Sequence, residues 1–135
     1  MRLIIAGSRS IIDIAHIRNA IRESGWTPTE IISGDAEGAD KLAIRYAKEN
    51  HIDLAIFPAN WRKYGRAAGY KRNQKMAWYA NLFNRKEDAT DNLKGGLVAI
   101  WNGKSAGTKH MIDIAETNGL PTHVYIVGSN GITSG

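Results

Sequence analysis

The chain has 135 residues, 43% hydrophobic and 23% charged, a composition that implies one ordinary globular domain. It holds no cysteine, which excludes disulfides and Cys-ligated zinc or iron–sulfur clusters, and no apolar run nears the ~20 residues of a membrane span. The net charge of +5 points to an anionic partner such as a nucleotide or nucleic acid, or else to a solvated basic surface.

The elements are predicted in chain order. "RLIIA" (2–6) is a first strand; its apolar part is too short for a signal peptide, and a cytoplasmic location is expected. Apolar residues at helical spacing predict a helix over 11–24, from Ile11 to Ile21. "TEIIS" (29–33) is a second strand and "DKLAIRYAKEN" (40–50) a second helix. "DLAIF" (53–57) is a third strand, and a long helical stretch covers 66–84. "RKEDATDNLKGG" (85–96) is a polar loop, "GLVAIW" (96–101) a fourth strand, 107–118 a helix and "THVYIV" (122–127) a fifth strand. Residues 128–135 read as a loose tail after a domain over 1–127. Alternating strands and helices predict an α/β, doubly wound, mainly parallel five-stranded sheet with helices on both faces.

In such a sheet, ligands bind outside the carboxyl ends of the strands, at the switch in strand order. The loops at that edge hold the unusual chemistry: "GSRS", "SGDAEGAD", "PANWRKYGRAAGYKRN" and "WNGKSAGT". Eight of the 18 Lys and Arg fall on or near it. The candidate ligand residues are Gly7, Ser8 and Arg9 in the first loop, and Ser33, Gly34, Asp35, Gly38 and Asp40 in the second. Trp61, Arg72 and Asn73 follow in the third, then Asn102, Gly103, Ser105, Gly107 and Thr108 in the fourth.

Their roles differ by chemistry. Arg72 continues the stripe of Gly69, Met76, Ala80 and Phe83 to the helix start, so it points across the strand ends, toward a phosphate or toward loop carbonyls. "SAGT" (105–108) opens a helix, where free N–H groups and hydroxyls either hold an anion or cap the helix. Acids in the second loop suit sugar hydroxyls or a developing sugar cation, so Glu37 and Asp35, with Arg72 on the phosphate, are the candidate catalytic groups. Asp40 falls near the first helical turn, where it braces the loop's amides. Trp61, Tyr64 and Tyr70 can stack a base or anchor the loops. The four histidines show no metal-ligand spacing; no metal and no cofactor is expected. Neither a dinucleotide fingerprint nor a P-loop is present.

"AGSR", "SGDAEGAD", "FPANWRKYGRAAGYKRNQKMA" and "WNGKSAGTKHMI", in that order and spacing, resemble the SLOG superfamily in its small YspA-like branch. The resemblance implies a Rossmann-like fold binding nucleotides or nucleotide-derived ligands. Relatives include the LOG phosphoribohydrolases, the DNA-processing protein A family, and sensor domains of bacterial and phage immunity. In the LOG enzymes a catalytic Glu lies three residues after the Thr of the Gly-Thr turn; here Met111 stands there. Arg72 falls where those relatives keep a functional Arg.

Three functions compete. A sensor or sequestering protein for a phosphoribosyl-containing ligand uses every edge feature. An N-glycosidic hydrolase or transferase needs Glu37 or Asp35 at the sugar. Single-stranded DNA binding would use the aromatics and the basic groove. Trp78 and Leu82, off the buried stripe of their helix, also imply a homodimer or higher oligomer.

Overall fold

The structure is a computed structural model that describes residues 1–128. The tail expected over 128–135 lies, beyond Gly128, outside the described residues. Five strands, β1 (Arg2–Gly7), β2 (Glu30–Ser33), β3 (Asp53–Ile56), β4 (Gly95–Trp101) and β5 (Thr122–Ile126), form one sheet in the order β3-β2-β1-β4-β5. Every pairing is parallel, as a Rossmann-like α/β fold requires. Order reverses between β1 and β4, so the switch point lies at the carboxyl ends of these two strands.

Strand alternation divides the core into two layers. Leu3, Ile5, Ile31, Val98 and Ile100 face α1 (Ala15–Ser24) and α2 (Ala39–Glu49), meeting Ile17, Ile21, Ala43 and Ala47. Ile4, Ala6, Ile32, Leu97 and Ala99 face the other way, meeting Met76, Ala77 and Ala80 on one helix and Met111, Ile112 and Ala115 on another. Adjacent residues of one strand thus serve opposite layers, which is why the strands read as unbroken apolar runs. The edge strands β3 and β5 are the exceptions, with Ile56 and Ile126 exposed.

Two helices differ from expectation. The first begins at Ala15, not 11, because the Asp13 carboxylate accepts from the Ala15 N–H at 2.9 Å; Ile11 and Ile14 reach the core from the preceding loop. The stretch 66–84 is broken: α3 (Trp61–Tyr64), a 3₁₀ turn (Gly65–Ala67), then α4 (Ala68–Ala80). α4 stops at Ala80, and in the turns that follow Asn84 donates to the Gly95 carbonyl and accepts from the Gly95 N–H. Phe83, expected in the core, therefore sits partly buried near the Arg2 guanidinium and Lys86. The last helix is α5 (Ala106–Thr117).

At the opposite edge, buried Arg2 bonds Glu30 at 3.0 Å and lies over the Tyr79 ring, whose hydroxyl donates to the same carboxylate. Among the described residues no helix is long and apolar enough to cross a membrane.

Candidate functional site

A cavity of about 300 Å³ opens where β1 ends, within the usual size range for small-ligand sites. Its walls come from the β1 end and turn (Gly7, Arg9), the second loop (Ala36, Asp40), α3 and α4 (Trp61, Arg66, Gly69, Tyr70, Arg72, Asn73, Met76) and the start of α5 (Ser105, Gly107, Thr108, Met111). A larger groove of about 540 Å³ runs between the C-terminal halves of α4 and α5, past Trp78 and Leu82. It lacks convergent basic groups, so the strand-end cavity is the better candidate for an anionic ligand.

Arg72 has two engaged arms. Nη1 donates to the Gly34 carbonyl at 2.5 Å, and Nε donates to Asn73 Oδ1 at 2.9 Å. Nη2 has no protein hydrogen-bond partner among the described residues and stands on the cavity wall beside Gly69. The expected planar fork is thus only half available: Arg72 ties a loop carbonyl and also presents one arm to the cavity. Burial lowers its pKa, the Asp40 charge opposes that, and the Arg9 charge adds to it. Arg9, Arg66 and Arg72 line one cavity, and no ion pair joins any of them to a carboxylate among the described residues.

Asp40 is the one carboxylate on the cavity wall among the described residues. It is buried, and one oxygen accepts from the Ala36 N–H at 3.3 Å. Burial raises its pKa to about 6, against the Arg72 charge and hydrogen bonds from the Ala36 and Gly7 backbone. Asp35 and Glu37, the expected sugar-side acids, do not line the cavity. Asp35 pairs with Lys41 at 2.7 Å, and Glu37 is exposed. The turn explains this: Asp35 adopts φ 61, which turns the two side chains outward while Asp40, in the first turn of α2, faces in.

The start of α5 is capped as the sequence implies. Ser105 Oγ accepts from the Thr108 N–H, and the two hydroxyls lie 3.0 Å apart. The cap leaves the N–H groups of Ala106 and Gly107 as donors beside the cavity. Ser8, Ser33, Asn102, Gly103 and Gly38 shape the loops instead of lining the cavity. Ser8 Oγ accepts from the Asn102 N–H, Ser33 Oγ donates to the Asp40 carbonyl, and Asn102 Oδ1 accepts from the Lys104 and Ser105 N–H groups.

Trp61 and Tyr70 are both exposed and both line the cavity, whereas Tyr64 faces away from it. Arg66, one of the basic residues of this edge, lines the cavity, and His110, which the sequence left without a role, stands behind Asn73. Asn73 Nδ2 lies 3.0 Å from His110 Nδ1, and the His110 ring lies 4.2 Å from Tyr70. Burial lowers the His110 pKa, Asp113 opposing; the Asn73 amide nitrogen can only donate, so Nδ1 is the acceptor in this contact. Only the helix spacing of Asn73 and Tyr70 hints at that contact in sequence.

Residues 1–64 match the family model described as YspA, cpYpsA-related SLOG family. This match over the N-terminal 64 residues supports membership of the SLOG superfamily. SLOG membership associates this fold with nucleotide-related ligands at a coarse level. The matched segment carries the "GSR" and "SGDAEGAD" loops and ends with α3, so α4 and α5, which supply Arg72 and the capped helix start at Ser105, lie beyond it. Neither a curated protein nor a solved structure matches the chain.

Proposed function

We propose that the cavity of this SLOG protein binds a nucleotide or other phosphoribosyl-containing ligand, and that the protein acts as a sensor or sequestering protein. The carrying observation is the crowding of Arg9, Arg66 and Arg72 around one cavity, with only Asp40 to oppose them. Three guanidinium groups that close repel one another until an anion enters. The phosphate takes the free Nη2 arm of Arg72 and the N–H groups at the start of α5. Trp61 and Tyr70 take the base. The sugar lies between, beside Asp40.

The alternative, N-glycosidic hydrolysis, needs a carboxylate near the sugar. Asp40 is the group in position for it, while Met111 fills the place of the LOG catalytic Glu and is fully buried. Calorimetry with a nucleoside monophosphate and its nucleoside separates the parts of the site. Arg72→Lys and Arg72→Ala should weaken the nucleotide roughly ten- to a hundredfold, the cost of one charged hydrogen bond, and the nucleoside far less. Equal losses for both would reduce Arg72 to its loop contact with Gly34. Mass spectrometry of ligand carried through purification distinguishes an intact nucleotide from a separated base and ribose phosphate.

A further inference from the structure

The stretch 54–86 contains eight of the chain's 18 Lys and Arg and none of its 13 Asp and Glu. Five of the eight, Arg62, Lys63, Lys71, Arg72 and Lys75, lie on α3 and α4, with no acid beside them in the stretch. Part of it serves the cavity. The rest faces elsewhere: Tyr64, Lys71 and Lys75 line a second depression of about 210 Å³ beside Pro58 and Asn60, which shares only Arg72 with the cavity. Tyr64, Lys71, Lys75 and Trp78 continue it along the outer side of α4.

The groups converge. The ammonium groups of Lys63 and Lys71 lie 5.0 and 4.9 Å from the Tyr64 ring centroid. The Tyr64 hydroxyl has its pKa lowered by a hydrogen bond from Lys63 and then by the charges of Lys63, Lys75 and Lys71. Among the described residues no carboxylate pairs with any of these lysines. Lys71, Lys75 and Trp78 follow one another at i, i+4 and i+7, a single helix face about 10 Å long. Trp78 is 66% exposed.

We propose that the outer face of α3 and α4 binds single-stranded nucleic acid, at a site separate from the strand-end cavity. Lys63, Lys71 and Lys75 neutralise successive phosphates. Tyr64 and Trp78 offer ring faces to unpaired bases, the lysines over Tyr64 swinging aside to the backbone. Stacking is what favours a single strand: a duplex keeps its base faces covered, and an anionic membrane or acidic peptide has none. The inference uses no residue of the nucleotide cavity, so either can fail alone.

The test is fluorescence anisotropy with a labelled oligothymidylate of about 15 nucleotides, in the range of single-domain site sizes. Three neutralised phosphates predict a log–log salt slope near −2, or about a 20-fold loss between about 50 and 200 mM salt. The triple variant K63Q/K71Q/K75Q should abolish binding, and Tyr64→Ala and Trp78→Ala should each weaken it roughly tenfold. All three should keep nucleotide binding in the cavity, which also shows that they fold. Equal binding of a duplex, equal capture on anionic vesicles, or undiminished binding by the triple variant would overturn the proposal. So would loss of oligonucleotide binding only in Arg72→Ala. If Trp78→Ala instead changes the particle mass by light scattering and leaves oligonucleotide affinity intact, the face is a contact between copies.

Discussion

Arg72 reaches across 38 residues of sequence to the Gly34 carbonyl, and Gly34 has no side chain because Arg72 is there. A Cβ on Gly34 would overlap Nη1 and stand 2.9 Å from Asp40 Oδ2. The obstacle is the far end of a flexible side chain, so Gly34→Ala displaces the guanidinium more than it breaks the fold. The expected result is a stability loss of about 1.5–3 kcal/mol by urea titration, one charged hydrogen bond. Nucleotide affinity should drop as far as in Arg72→Ala. Intact affinity would show that Arg72 does not act at the ligand.

Gly107 gives the opposite pattern. It lines the cavity, yet nothing lies within 4 Å of where its Cβ would stand and its φ is ordinary. The fold therefore has no need of glycine in this first turn of α5. Gly107→Ala should stabilise the protein by up to about 1 kcal/mol through helix propensity. It should weaken a phosphorylated ligand severalfold or more, because an anion must come close to those N–H groups. A variant that is more stable and binds as tightly would remove the α5 start from the site.

Asp40 imposes a pH dependence of known sign. Its pKa is about 6 in the folded protein and 3.8 when unfolded, so the unfolded chain releases this proton first. Its contribution to stability is fully present below about pH 4 and is lost as pH rises through about 6. The loss amounts to about 3 kcal/mol. Asp40→Asn keeps an acceptor for the Ala36 N–H and cannot ionise. The stability of Asp40→Asn relative to wild type should therefore rise between pH 4 and 7 in urea melts. A fall over that range would mean that Arg72 holds Asp40 as a stabilised carboxylate.

Trp61 and Tyr70 should carry the base. Trp61→Ala and Tyr70→Ala should each cost about 1–3 kcal/mol of nucleoside binding by calorimetry, the usual worth of one stacked base. Glu37→Gln should leave both affinities within about twofold, since an exposed carboxylate outside the cavity is strongly screened. A large Glu37→Gln effect would return the second loop's acids to the site.

The strands, their order along the chain and the edge at which the cavity opens were legible in the sequence. A parallel sheet covered on both faces demands local apolar runs, and its crossovers put the ends of all strands on one side. Local signals also marked Ser105 as the cap of α5, because its hydroxyl satisfies donors only three residues on. What no local pattern contained was direction and long-range pairing. Asp35, Glu37 and Asp40 are equivalent as letters, and only the positive φ at Asp35 and the burial of the α2 start turn one inward and two outward. The pairing of Asn84 with Gly95 and the use of two Arg72 arms on Gly34 and Asn73 depended on distant segments meeting. Periodicity reports which face of a helix is buried. Which polar group meets which is set by the closure of distant segments, and that only the tertiary structure decides.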